Sequence, residues 1–149
     1  MRKKLLFISL LFISLIAKAQ VTFDVSAIEV DKPVTITVDI NSTATNCNGL
    51  SNPAKVYMHA GIGNKANAFG FNVIGNWGQD DGVGLMTNNG NGTYSITITP
   101  QTYFNLSPIQ IQTAAQMGMV FRNATGSQTL KLAPSCGDFF FMACRRYKL

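Results

Sequence analysis

The pattern that most restricts this chain is a two-residue alternation of apolar and polar side chains. In Val34-Thr35-Ile36-Thr37-Val38-Asp39-Ile40 every second residue is aliphatic. Successive side chains of an extended strand point to opposite faces, so one face of this segment is apolar and the other can meet water. Pro33 ahead of it lacks a backbone donor and suits a strand start. The same period governs Val21, Phe23 and Val25, with Ile28 and Val30 continuing it beyond a break. It returns in residues 55–61, where Val56, Met58 and Ala60 share one face and Tyr57 and His59 the other. Residues 84–87 and 93–99 flank Asn88-Asn89-Gly90-Asn91-Gly92 and predict a hairpin, because Asn and Gly tolerate the positive φ that tight connections need. On its return strand Tyr94, Ile96 and Ile98 face inward. Residues 117–121 are apolar except at Gly118, as expected of a central strand covered on both faces. Residues 45–53, 61–70 and 123–128, rich in Gly, Asn, Ser and Pro, read as turns, and helix is scarce. Roughly seven or eight short strands in one unit predict an all-β fold, an antiparallel immunoglobulin-like β-sandwich, with a closed barrel as the alternative.

The amino terminus has the three parts of a cleavable signal peptide. A basic start (Arg2, Lys3, Lys4) precedes an apolar run from Leu5 to Ile16, and Ala17-Lys18-Ala19 precedes Gln20. The run is interrupted by Ser9 and Ser14 and falls short of the about 20 apolar residues that a bilayer span requires. No membrane span is therefore expected after cleavage. Gln20, not cysteine, would then come first, so the signal for lipid attachment is missing. The expected organisation is a signal peptide over 1–19, a sandwich over 20–141 and an atypical tail over 142–149. In the tail the strand pattern is lost, as though a final strand had been truncated or replaced by a frameshift. The expected location is extracellular or periplasmic.

Charge excludes one class of partner. The formal net charge is +5, from 12 basic and 7 acidic residues. Arg2, Lys3, Lys4 and Lys18 lie in the signal, and Arg145, Arg146 and Lys148 lie in the tail. What remains is slightly acidic, with no basic stripe, so nucleic acid is not an expected partner. Three cysteines allow at most one internal bridge. Cys47 and Cys136, both within the patterned region, form the natural pair, while Cys144 lies in the tail; otherwise all three remain thiols.

Catalysis is hard to assemble from these residues. His59 is the single histidine, and no Gly-x-Ser-x-Gly elbow accompanies it. The carboxylates are scattered or, as with Asp80 and Asp81, adjacent in sequence, so no acid, base and nucleophile can be named. No enzyme, catalytic residue or cofactor is expected. Asn76-Trp77-Gly78-Gln79-Asp80-Asp81-Gly82 concentrates oxygen ligands in a glycine-flanked loop, but the spacing is not that of an EF-hand. Turn chemistry accounts for Asp and Gly there, and no metal is assigned. Trp77, the only tryptophan, is either a core ring pinning the sandwich or an exposed ring on which a sugar could stack. Tyr57 and His59, two residues apart on one strand face and about 7 Å from each other, could extend such a platform. Alternatively Tyr57 is half-buried and His59 is a plain surface imidazole.

Val56-Tyr57-Met58-His59-Ala60-Gly61, the block from Val73 to Gly84 that contains Trp77-Gly78-Gln79-Asp80-Asp81-Gly82, and Gly118-Met119-Val120-Phe121-Arg122-Asn123-Ala124 together carry a resemblance. Over about residues 20–140 the chain resembles the immunoglobulin-like module that precedes alpha-amylase-type catalytic domains in secreted proteins of gliding-type bacteria. More distantly it is similar to starch-binding modules of carbohydrate-binding families twenty-five and twenty-six. In these, an aromatic- or His-containing strand and a tryptophan from the next loop form the site. The resemblance implies a secreted, noncatalytic carbohydrate-binding module for alpha-glucans such as starch or glycogen. Tyr57 and Trp77 would stack on sugar faces, and His59 with Gln79 or Asp80 would bind hydroxyls. The spacing from His59 to Trp77 is longer than in those modules. A catalytic domain missing from this chain is the implied neighbour. The alternative is a structural or adhesive immunoglobulin-like spacer, in which Trp77 would be core.

Overall fold

The computed structural model describes residues 20–42, 47, 49–132 and 136–144. The signal-peptide reading of 1–19 and the tail residues 145–149 lie outside them. Two sheets face each other. The first has the order β1 (Val21–Phe23), β3 (Val34–Asp39), β7 (Thr93–Ile98), β6 (Thr87–Gly90). The second runs β2 (Ile28–Glu29), β10 (Phe139–Cys144), β8 (Gln116–Asn123), β4 (Val56–Asn64), β5 (Asn67–Ile74), with β9 (Thr129–Leu130) also beside β8. All pairings are antiparallel except β10 with β2. The chain is thus all-β with two packed sheets.

The alternation read in the sequence sets the inner faces. Val34, Ile36 and Val38 of β3 and Tyr94 and Ile98 of β7 point into the core from the first sheet. Val56, Met58, Ala60 and Ile62 of β4 and Met117, Met119 and Phe121 of β8 meet them from the second. Fully burying one such side chain is worth about 1.5–3 kcal/mol, so this layer is what holds the sheets together. Tyr94 keeps its polar tip satisfied by donating to the carbonyl of Pro53 at 2.8 Å. The β6–β7 hairpin closes through Asn91 (φ 52°) and Gly92 (φ 76°), two successive left-handed residues as a tight hairpin turn requires.

Besides β6, which runs Thr87–Gly90 where residues 84–87 are the expected strand, three features differ from the sequence reading. Residues 61–70 are not a turn: β4 continues to Asn64 and β5 starts at Asn67. Gly61 and Gly118 sit side by side in register, and the Phe69 ring occupies the space where both Cβ atoms would stand. These strand glycines make room for a ring rather than bend the chain. Second, β10 continues to Cys144, beyond the expected boundary at 141, with backbone pairing to β8 and β2. Third, the crossing from β7 to β8 carries two short helices, α1 (Pro100–Tyr103) and α2 (Pro108–Thr113). Ser107 and Gln110 form a reciprocal capping box at the start of α2, with Pro108 in the first turn. Among the described residues no helix is long and apolar enough to cross a membrane. The expected bridge between Cys47 and Cys136 is present, with Cα atoms 5.0 Å apart.

Candidate functional site

The outer face of the second sheet carries the residues singled out in the sequence. On β4 the outward positions are Tyr57, His59 and Gly61; on β8 they are Gly118, Val120 and Arg122, opposite them in register. The chain leaves β5 at Ile74 and crosses this face as a loop. It rejoins β4 where the Gly84 carbonyl accepts from the Met58 amide at 2.8 Å and Met86 donates to Val56 at 2.9 Å. Gly84 has φ +79° and lies so close to the Met58 carbonyl that no Cβ would fit. The loop therefore covers Tyr57 and presents Trp77.

Trp77 is 49% exposed, so it is not a core pin. Its indole meets the His59 ring edge to face, with centroids 5.4 Å apart and planes at 86°. On the other side it lies against Gly126 of the 123–128 turn, where a Cβ would stand 2.8 Å from the indole nitrogen. The ring is held on two sides and open on a third. His59 is half-buried; its Nδ1 is fully covered, packs against Gly75 and has no hydrogen-bond partner among the described residues.

Tyr57 does not join the open ring surface. It is fully buried, with the Arg122 guanidinium 4.6 Å above its ring centroid. Its hydroxyl donates to Asp80, which also accepts from the Lys55 ammonium at 2.8 and 2.9 Å. The expected stacking role of Tyr57 is corrected accordingly: loop residues 75–84 cap the strand face above it, leaving it as an anchor for Asp80. These contacts shift the ionisation of the groups they join. The hydrogen bond from Lys55, then that from Tyr57, holds the Asp80 carboxyl below its ordinary range. The same hydrogen bond to Asp80, followed by desolvation, pushes the Tyr57 phenol up. Asp81 is held low by Asn76, whose side-chain amide donates to it, and by the Val83 amide at 2.9 Å. The Asp81 carboxylate is thus engaged within the loop, and that of Asp80 by Lys55 and Tyr57 outside it. Among the described residues no group of three His, Cys, Asp or Glu side chains is poised around a metal.

The residue that sequence reasoning missed is Arg122, which is fully buried. Its Nη1 donates to the carbonyls of Asn123 and Ala124, both at 2.9 Å. Nη2 donates to those of Asn76 at 2.8 Å and Gln79 at 3.1 Å. One guanidinium thereby ties the Trp77 loop to the 123–128 turn, the two elements between which the indole sits. The planar fork suits this task as a lysine would not. A lone arginine on a strand reads in sequence as a solvated charge; only its position opposite Tyr57 hints otherwise.

Gln79 and Asp80 lie exposed on the same loop as Trp77. Beside them opens a cleft of about 360 Å³, lined by Ser51, Asn52, Lys55, Asp80, Asn123 and Thr125 among others. Hydroxyls, amides and one ion pair line it together with Pro53, Ala54 and Ala124, a mixed lining that offers polar partners to hydroxyl groups.

Residues 21–130, spanning both sheets and the whole Trp77 loop, match one family. The chain belongs to the family described as Domain of unknown function (DUF8578). A search of the curated proteins finds no match. In this DUF8578 domain the Trp77 loop, its Arg122 tie and the His59 contact all fall inside the matched span, whereas β10 follows it.

Proposed function

We propose that this DUF8578 domain is an exported, noncatalytic, immunoglobulin-like carbohydrate-binding module whose ligand is an alpha-glucan such as starch or glycogen. The observation that carries this reading is Trp77: half its surface is open, yet the ring is fixed by His59 and Gly126. A sugar presents a C–H face to such a ring, and a ring that is already fixed loses little freedom on binding. Gln79, Asp80 and the cleft beside them supply polar partners for hydroxyls. His59 supports the indole, and Tyr57 positions Asp80. The choice of alpha-glucan rests on the resemblance of the strand and the Trp77 block to starch-binding modules.

A single open ring with a few polar neighbours gives weak binding, since the gain is only a few kcal/mol before association costs. Native electrophoresis in gels containing glycogen tests the reading. The parent protein is expected to be retarded and Trp77→Ala to run as in a gel without polysaccharide. A parent protein that migrates identically with and without glycogen overturns it.

A further inference from the structure

We infer that the ligand surface extends beyond Trp77 across the outer face of the second sheet, as an aromatic strip that holds a glucan chain rather than its end. This rests on the carbohydrate-binding reading above. The strip follows from strand register. Phe140 of β10, Gly118 of β8, Gly61 of β4 and Val73 of β5 form one row across four strands. The inward neighbours Met117, Met119, Ala60 and Ile62 are all core, so this row points outward. The next row, two residues along, pairs Val120 with His59, and His59 touches Trp77.

Glycine at the two central positions lets the Phe69 ring lie down over both strands. A Cβ at either Gly61 or Gly118 would collide with that ring. Phe69 in turn meets Phe140 edge to face, with centroids 6.4 Å apart. The result is two ring pairs on one face, Phe140 with Phe69 and His59 with Trp77, set on adjacent rows of β4 and β8, with Val73 beside the first. Phe140 is 57% exposed, Trp77 49% and Val73 44%. None of the outward residues in these two rows is charged. The nearby charges are buried or paired: Arg122 is buried, Lys55 pairs with Asp80, and Asp138, two residues before Phe140, pairs with Lys131.

Contiguous exposed apolar surface of this kind marks a binding surface. Two features favour a polysaccharide over a protein partner. The strip reaches the open Trp77 ring through His59, and Asp80 of the Trp77 loop lines the neighbouring cleft, so a chain lying along the strip runs toward both. The strip's two central positions are glycines beneath the Phe69 ring, so it offers ring faces, which suit the C–H faces of sugars.

The test compares ligands of different length. Maltotriose and soluble amylose are titrated calorimetrically into the parent protein, Phe140→Ala, Phe140→Tyr and Trp77→Ala. Phe140→Ala is expected to weaken amylose binding about fivefold while changing maltotriose binding less than about twofold, and Phe140→Tyr to keep both. Trp77→Ala is expected to lose both ligands. If Phe140→Ala leaves amylose affinity unchanged while Trp77→Ala abolishes it, the strip is overturned and the Trp77 site stands. An equal loss of both ligands in Phe140→Ala also overturns it, since a ring remote from Trp77 would then act only through the fold. A parent protein that binds neither ligand overturns the strip together with the carbohydrate reading. Sedimentation velocity closes the remaining route: a parent dimer that Phe140→Ala dissociates makes a second copy the occupant and overturns the glucan assignment.

Discussion

Four carbonyl oxygens from two separate turns converge on the Arg122 guanidinium, and the indole of Trp77 sits where those turns meet. Removing the cation deletes four part-buried hydrogen bonds from a charged donor, and such bonds are worth more than neutral ones. Arg122→Met is therefore expected to lower stability by about 3 kcal/mol, read as a shift in the urea midpoint at unchanged slope. Trp77 fluorescence should also become more accessible to acrylamide as the loop loosens. A change under about 0.5 kcal/mol would show that the turns hold without the tie. Acid acts on the neighbouring anchor. Because Lys55 and Tyr57 hold the Asp80 carboxyl below its ordinary 3.8, the loop contact persists above that value and is lost as pH falls through the lower folded one. Trp77 quenching at constant ionic strength should accordingly be flat from neutrality to about pH 4 and rise only below it, with Asp80→Asn removing its share of the transition and leaving that of Asp81. Tyr103 is the opposite case. Burial pushes its phenol up to about 12, and its hydroxyl finds no partner among the described residues. Its neutral form is retained in the fold, so alkaline loss of its contribution begins above pH 10 and completes through about 12. Tyr103→Phe is expected to be neutral or stabilising by up to about 1 kcal/mol in the same urea assay, since it deletes an unmatched hydroxyl and keeps the ring.

At the scale of elements, legibility followed the period. β3 and β7 alternate cleanly, and their registers place the predicted inward residues in the core. β4 was readable face by face, including the shared face of Tyr57 and His59, but not what covers that face. Its cover is a loop returning from β5, a long-range contact with no local signature. β5 itself escaped because Gly61, Gly63 and Gly70 look like turn residues when their neighbours are unknown. Their meaning lies in the Phe69 ring and in backbone approach, which depend on pairing across strands. α2 was not read from the sequence, although Ser107-Pro108 and Gln110 carry a local start signal, because a helix this short competes poorly against the surrounding strand and turn signals. For the same reason Trp77 could be read as core or as open, since its glycine flanks fit both. The Phe69 arrangement can be tested at Gly61. A methyl there meets the ring and also the Phe69 Cα at 3.0 Å, backbone that cannot swing away. Gly61→Ala is expected to cost about 1–3 kcal/mol by overpacking. Combined with Phe69→Ala, the share of that cost due to the ring should disappear while the share due to the Phe69 Cα remains, a coupling that a mere loss of glycine flexibility would not show.

Across the whole molecule, the two sheets are joined by chain crossings rather than by shared strands, and one crossing is bolted covalently. The segment leaving β3 for β4 carries Cys47, whose carbonyl accepts from the Lys131 amide at 3.0 Å, while the Gly49 amide donates to Thr129 at 2.9 Å. Cys136 lies between β9 and β10 and closes the bridge over a sequence separation of 89 residues. The closed loop contains both central strands of the second sheet, the Trp77 loop and the whole β6–β7 hairpin. A crosslink of that span removes much of the freedom of the unfolded chain, worth about 4 kcal/mol when the native geometry is unstrained. For one domain of ordinary stability, about 5–15 kcal/mol, this is a large share. The consequence also bears on location, because such a bridge persists in oxidising compartments and is reduced in the cytosol, in keeping with the export proposed above. The paired variant Cys47→Ser with Cys136→Ser, made in a Cys144→Ser background to prevent exchange, is expected to lose about 4 kcal/mol in urea denaturation. Its Trp77 emission at low urea should match the parent's, since the loop is tied by Arg122 and Asp80 and not by the bridge. A loss below about 1 kcal/mol would mean that the unfolded chain is already held compact without the crosslink. A shifted Trp77 spectrum in folded protein would instead mean that the crossing and the loop act as one unit.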